Sequence, residues 1–246
     1  MNSLDTNRAF LYGDGFFETF KLINGRCEKF HLHYQRMLRS SKLLEMDWNE
    51  TWNMAFFEEM LVEKSREFEQ SDLRVKLVFY RDSAGTYLPE TDNMQFHLMI
   101  SPYLSNVKDI LNCGIYSEAK KPVNMWSGIK STSAQFYVMA SKFMKHHGWD
   151  ELIILNEYGR VCEGLTSNVF LEKDGQFYTP PLYEGCIDGV YRQSLLMDKN
   201  KRLVVEKELT LDELKTGKVY FSNAIRGFIP GRLILYFKNH ENIRCQ

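Results

Sequence analysis

The 246-residue sequence is short of several things, and each shortage argues against a class of function. Cysteine is scarce and irregular: Cys27, Cys113, Cys162, Cys186 and Cys245 include no Cys-x-x-Cys pair, which argues against a disulfide framework and a zinc knuckle. The histidines offer only His31-x-His33 and His146-His147, and neither spacing puts two ligands on one helix face, so no metal is expected. An excess of either charge is missing too, because 31 basic residues face 32 acidic ones for a formal net charge of -1. Such a balance excludes nucleic acid or an anionic membrane as an extended partner but leaves a local anion site open. No apolar run approaches the roughly 18 uncharged residues of a spanning helix, and the opening MNSLDTNRAF lacks the basic-then-apolar layout of a signal peptide. The chain reads as cytoplasmic, with no internal repeat.

What is present is core material. A content of 44% hydrophobic and 14% aromatic residues, over this length, suits one large domain or two small ones sharing an interface. Strand-like and helix-like patterns alternate along it. Residues 16–23 are β-prone and run into Asn24-Gly25, a type I′ hairpin dipeptide, so a return strand is expected. Phe30, Tyr34, Met37, Leu38 and Leu44 fall at helical spacing, and 51–68 forms a second helix. Strands follow at 73–80 and 94–101. The patterning then weakens, giving a subdomain at 1–103, a connecting segment at 104–112 and a larger subdomain at 113–246. In the latter, strands are expected at 113–119, 150–156, 161–162, 168–172, 203–205 and 218–221, with helices at 133–147 and 189–197. Hairpin-joined strands with helices between them point to an α+β (mixed α/β) fold rather than a doubly wound parallel sheet.

Three segments carry polar residues at odds with apolar surroundings. In Gly128-Ile129-Lys130-Ser131 a lone lysine is ordinarily a solvated residue, but at the mouth of an apolar interface desolvation disfavours its ammonium and leaves a usable amine nucleophile. In Val161-Cys162-Glu163-Gly164 the glutamate is either an exposed hairpin residue or a buried carboxylate needing a cation. Gly185-Cys186-Ile187-Asp188-Gly189-Val190-Tyr191 turns into a helix whose first N–H groups and dipole suit a phosphate. Gly13-Asp14-Gly15 is not a dinucleotide fingerprint, lacking the third glycine and a preceding βαβ unit.

Together with Asn7 through Thr19, Arg36, Asn156 with Gly159, Glu163 through Phe170, Thr179-Pro180-Pro181 and Ser222-Asn223-Ala224, these segments resemble the fold-type IV pyridoxal-phosphate enzymes. That class IV aminotransferase group includes D-amino-acid and branched-chain aminotransferases and 4-amino-4-deoxychorismate lyase. The resemblance covers nearly the whole chain. It implies two subdomains, D-amino-acid-aminotransferase-like, with pyridoxal 5'-phosphate in the cleft between them, and a homodimer acting on a small amino-acid-like substrate. By the same resemblance Lys130 is the Schiff-base lysine, Glu163 the acid beside the pyridine nitrogen and Arg36 the phosphate-binding arginine. Ser167, Asn168, Ile187, Gly189, Val190, Tyr191, Ser222 and Asn223 complete the implied cofactor site, and Tyr12, Glu18 and Arg81 the substrate side. Arg81 is a candidate carboxylate clamp for its own or the neighbouring site. The family's usual extra strand ahead of Arg8 has only seven residues to draw on here.

The resemblance also bears on the reaction. Branched-chain members place a tyrosine five residues after the lysine, where this chain has Gln135, and Ser222-Asn223-Ala224-Ile225 is similar to the lyase's Asn-Ala segment. The expectation is therefore a lyase that makes 4-aminobenzoate, a folate precursor, and pyruvate. The alternatives are an amino-acid aminotransferase on the same scaffold and a non-catalytic dimeric binding protein.

Overall fold

The computed structural model describes residues 4–105, 108–198 and 203–234. Cys245 and parts of the expected connecting segment and of the opening residues lie outside that set. α1 (Arg8–Tyr12) is one short helix, capped by the Asn7 side chain and stopped by Gly13 in the left-handed region. β1 (Gly15–Ile23) alternates, burying Phe16, Glu18, Phe20 and Leu22 on one side and leaving Phe17, Thr19 and Lys21 half-buried on the other.

Asn24 and Gly25 take φ of 51° and 75°, as a type I′ turn requires, yet the expected return strand is reduced to one bridge between Ile23 and Arg26. The helical periodicity starting at Phe30 wins the competition, and α2 (Phe30–Leu43) begins there, burying Phe30, His33, Arg36, Met37 and Ser40. β1 instead pairs antiparallel with β2 (Asp72–Arg81), reached after α3 (Met54–Ser65). β2 then pairs with β3 (Met94–Pro102), closing a three-stranded sheet of order β1-β2-β3. Its core joins Phe16, Phe20, Met37, Phe57, Phe79 and Trp52. Phe57 has no exposed surface, so its truncation to alanine should cost about 3–5 kcal/mol.

The second sheet has eight strands. β4 (Leu111–Ile115), β5 (Glu151–Leu155), β6 (Val161–Gly164), β7 (Asn168–Lys173), β8 (Gln176–Thr179), β9 (Val204–Glu206), β10 (Lys218–Asn223) and β11 (Gly227–Leu233) lie in the order β6-β5-β4-β11-β10-β7-β8-β9. β4 runs parallel to β5 and β11, and β8 to β9, while the remaining pairs are antiparallel. This is the mixed sheet expected, not a doubly wound one. Three helices pack around it: α4 (Gln135–His146), α5 (Val190–Met197) and α6 (Leu211–Lys215). α6 starts with a capping box, Thr210 and Glu213 each bonding the other's backbone, a signal readable from the sequence. Among the described residues no helix is long and apolar enough to cross a membrane.

The segment before α4 stitches the sheets together. Phe17 N donates to Lys130 O at 2.9 Å, Thr132 N to Gly15 O at 2.9 Å, and Thr132 Oγ1 to Gly13 O at 2.8 Å. Ile129 is buried in the core of the three-stranded sheet although β4 and α4 on either side of it belong to the larger one.

Candidate active site

A cavity of about 290 Å³ lies against this seam. Lys130 enters it from the stitched segment, its Nζ 4.7 Å from the centroid of the Phe17 ring. Burial first, and then the nearby Arg36 guanidinium, pull its ammonium down to a pKa of about 8, against the opposing pull of Glu18 and Glu163. An amine held there releases its proton far more readily than an ordinary lysine, with about a tenth of it free at pH 7.

Glu163, on β6, faces one end of the cavity. Its Oε1 accepts from Lys121 Nζ and from Tyr137 OH, each at 2.6 Å, and its Oε2 from Ile187 N at 2.7 Å. Burial would lower the Lys121 ammonium, but the charge of Glu163 outweighs it and holds this lysine above the ordinary lysine value. Burial and the same carboxylate push the Tyr137 phenol far up, so it stays protonated and donates.

At the other end Arg36 reaches in from α2. Glu18 grips its guanidinium with two bonds, Nε to Oε1 at 2.7 Å and Nη2 to Oε2 at 2.6 Å, while Nη1 donates to Asp188 O at 2.9 Å. Burial alone would raise the Glu18 carboxyl, but the charge and bonds of Arg36, with a bond from His33, hold it at about 2. A carboxylate so held can only accept, so His33 Nδ1, 2.6 Å from Oε2, carries the proton. Burial lowers the pKa of His33, which keeps its ring neutral.

The start of α5 completes this end. Its N-cap, Gly189, supplies no side-chain acceptor for the first N–H groups. A side chain at Gly189 would collide with Asn168 Oδ1, since a Cβ there falls 1.9 Å from it. The Asn168 amide in turn holds Ile187 O at 2.8 Å, so the turn is tied to β7, β6 and α2 at once. Ser222 Oγ is buried without a hydrogen-bond partner among the described residues. The neighbouring turn is shaped by Asn223, whose Oδ1 accepts from Ile225 N and Arg226 N and whose Nδ2 donates to Thr166 O. Arg226 pairs with the fully buried Glu151, which also accepts from Thr166 and Ser167.

Of the residues the sequence nominated for a cofactor, all but Tyr191 line this one cavity. The substrate-side nominations fall elsewhere. Tyr12 is 42% exposed and lies beside Arg8 and Tyr87, away from the cavity. Glu18 points to the buried side of β1, and by strand alternation it is Phe17 and Thr19 that face the cavity. Arg81 is buried and its fork is used up: it bonds Asp14 Oδ2 at 3.0 Å, Leu44 O at 2.6 Å, Glu45 O at 3.1 Å and Asp92. Arg81 therefore clamps β2 to the end of α2 rather than opening into this cavity. Arg74, seven residues back along β2 and so on its opposite face, lines the cavity instead. Tyr137 was missed because it stands seven residues after Lys130 rather than five, yet α4 carries its phenol to Glu163. Gln135, the residue weighed in its place, is only the first of the helix.

The profile of the family described as "Amino-transferase class IV" matches residues 15–234. A Methanocaldococcus jannaschii protein named for branched-chain-amino-acid aminotransferase activity is 27% identical over 87% of this chain and 76% of its own. An aminodeoxychorismate lyase from Bacillus subtilis is 26% identical over 91% of this chain and 78% of its own. The crystal structure of 4-amino-4-deoxychorismate lyase from Pseudomonas aeruginosa superposes with a TM-score of 0.83 at 23% identity, over 94% of this chain and 86% of that one. That last likeness is one of fold. Lyase and aminotransferase thus stand almost level in identity.

Proposed function

The chain belongs to the class IV aminotransferase family, whose members are pyridoxal-phosphate enzymes, and on that premise we propose that it is a 4-amino-4-deoxychorismate lyase. Its cavity fits the cofactor. The unpartnered Ser222 Oγ, the uncapped first turn of α5 and the Arg36 guanidinium form one anion-binding end, and Glu163 supplies an acid at the other. Lys130 lines the cavity they share.

When bound, the cofactor supplies an electron sink for the pair released from a bond at the substrate's amine-bearing carbon. Arg36 and the α5 N-terminus hold its phosphate, and Glu163 holds its ring nitrogen protonated. Lys130 Nζ, with its pKa near 8, removes the proton from that carbon. In the lyase reaction the ether C–O bond on the neighbouring ring carbon then breaks, the ring becomes aromatic as 4-aminobenzoate, and the departing enolate of pyruvate takes up the proton to give pyruvate.

The observation that carries this reading is the cationic face of β2 beside Lys130. Arg74 lines the cavity, and Lys76 lies with its Nζ 4.5 Å from the Phe17 centroid and helps to depress Lys130. Arg74 in the lining, with Lys76 on the same face of β2 beside Phe17, suits a substrate with two carboxylates, and the Asn223-Ala224 segment in the same lining agrees with it. Supplying 4-amino-4-deoxychorismate should release 4-aminobenzoate and pyruvate in equal amounts, whereas keto-acid-dependent transfer from D- or L-amino acids without those products rejects the lyase. Amino transfer is the second reading, favoured by Tyr137, which returns a phenol to the Glu163 end where the sequence had seemed to lack one. For the dimer, the supporting feature is an exposed apolar patch of Phe10, Tyr12, Tyr87 and Leu88 around α1, a face suited to a second copy. Sedimentation at a mass of one chain rejects it.

A further inference from the structure

Glu163 is filled on one oxygen and half-open on the other. A carboxylate oxygen offers two acceptor positions. Those of Oε1 are taken by Lys121 Nζ and Tyr137 OH, and one of those on Oε2 by Ile187 N. A single position, on Oε2, is left for a donor in the cavity that Glu163 lines. Lys121 does not line that cavity. It sits behind the wall, 7% exposed, in the connection between β4 and α4, and among the described residues its one further acceptor is the Ser127 carbonyl, at 3.4 Å. Nothing in the sequence distinguishes it from Lys120 beside it.

We propose that Lys121 is a positioning residue for the cofactor: its ammonium, fixed on Oε1, keeps Glu163 ionised and its open Oε2 position turned to the ring nitrogen, so that the proton between them stays on the nitrogen. The inference rests on the reading of Glu163 as the acid beside that nitrogen. The sign follows from Coulomb's law. A cation closer to Glu163 than to the ring stabilises the carboxylate–pyridinium arrangement over the neutral acid and pyridine. The other groups around the pair do not compete for this role. Burial raises the Cys162 thiol, pushes Cys186 up to about 12 and raises Tyr137, so all three stay neutral, and Lys130, pulled down to about 8, stands on the cavity side and makes no bond to Oε1. Removing the Lys121 charge while keeping Glu163 leaves the proton free to move to Oε2.

The test uses the full chain loaded with pyridoxal phosphate carrying ¹⁵N in its ring, observed by NMR at pH 7. The wild type should show the ¹⁵N resonance and one-bond ¹⁵N–¹H coupling of a protonated ring. Lys121→Met and Lys121→Gln should move the resonance toward the unprotonated position, with the coupling lost and kcat down about tenfold to hundredfold at little-changed KM, the range typical of outer partners of a ligand. Lys121→Arg should keep the wild-type signal. Lys121→Gln keeps a donor on Oε1 and decides the matter if Lys121→Met fails to fold. Wild-type resonance and coupling in Lys121→Gln would reduce Lys121 to a structural ion pair, and a loss in Lys121→Arg as large as in Lys121→Gln would overturn the charge argument. Glu163→Gln isolates the parent reading. If it too retains the protonated ring, the assignment of Glu163 has failed; if it alone loses the proton while the Lys121 variants keep it, only the present inference has.

Discussion

At one end of the cavity the inward-facing side chain is an acid with a cation behind it, Glu163 on Lys121. At the other it is a cation with an acid behind it, Arg36 on Glu18, and a neutral histidine behind that. Both are buried ion pairs, and neither adds much stability for its own sake, because desolvation cancels most of the attraction. Their value lies in what they present. Glu18 takes two N–H groups of Arg36 in one plane and Asp188 O a third, which leaves two of the fork's five for a ligand in the cavity. Lys121 and Tyr137 do the equivalent for a carboxylate by filling its far oxygen. The two ends also use different cations. Arginine cannot lose its proton, whereas a lysine keeps its own only while its partner carboxylate stays ionised. Between them stands a second lysine with no carboxylate in contact, and burial pulls that one down to about 8. Two lysines nine positions apart are thus shifted in opposite directions, because only one was given a carboxylate partner.

The harshest break falls in the middle. Lys130→Ala should lower turnover by about 10³-fold or more while phosphate-anchored binding of pyridoxal phosphate persists, and borohydride should leave no pyridoxyl mass on the peptide. Full activity would mean the wrong lysine was chosen. Breaking the cationic end comes next. Arg36→Met strands Glu18 as a buried unpaired carboxylate and should destabilise the apoenzyme by about 3–5 kcal/mol in denaturant melts. Because Glu18 is depressed to about 2, its contribution in the wild type is present above about pH 4.5 and is lost as pH falls toward 2, about 3 kcal/mol in all, and Arg36→Met should lack that acid limb. At the acidic end, Glu163→Gln should lower kcat by about tenfold to a hundredfold and cofactor affinity by less, seen as a kcat effect at saturating cofactor. An unchanged rate would remove the acid from the mechanism. The gentlest probe leaves the chain intact. The loading rate of pyridoxal phosphate should rise about tenfold per pH unit below pH 8 and level off above it, following the free amine of Lys130.

The chemistry was legible where it is carried by one residue in an unusual setting. A lysine in a polar turn before an apolar helix, a glutamate interrupting apolar strands and a glycine leading into a helix all converge on the cavity. What the sequence hid was carried by pairs. Lys121 meets Glu163 from 42 residues away, and no local pattern marks it. Tyr137 has no local mark either, and only the direction of α4 delivers its phenol to Glu163. Arg81 and Glu18 were read as facing substrate, but strand alternation turns Glu18 to the buried side of β1, and the partners that fill the guanidinium of Arg81 come from three separate segments. The return strand after Asn24-Gly25 failed for a related reason: the turn forms as its dipeptide dictates, and a stronger helical pattern claims the residues that follow. Local signals placed the elements; only tertiary packing chose their partners.

The seam has one more consequence. Lys130 is covalently part of the segment leading into α4, yet its carbonyl is held by Phe17 of the three-stranded sheet and Ile129 is buried in that sheet's core. Its amine is drawn down to about 8 chiefly because that docking buries it. In a nascent or partly unfolded chain the same lysine is an ordinary ammonium, some two pH units harder to deprotonate and correspondingly unreactive toward stray aldehydes. Chemical competence therefore comes with the docking of this segment on the three-stranded sheet, and the labelling rate of this one amine reports whether that docking is in place.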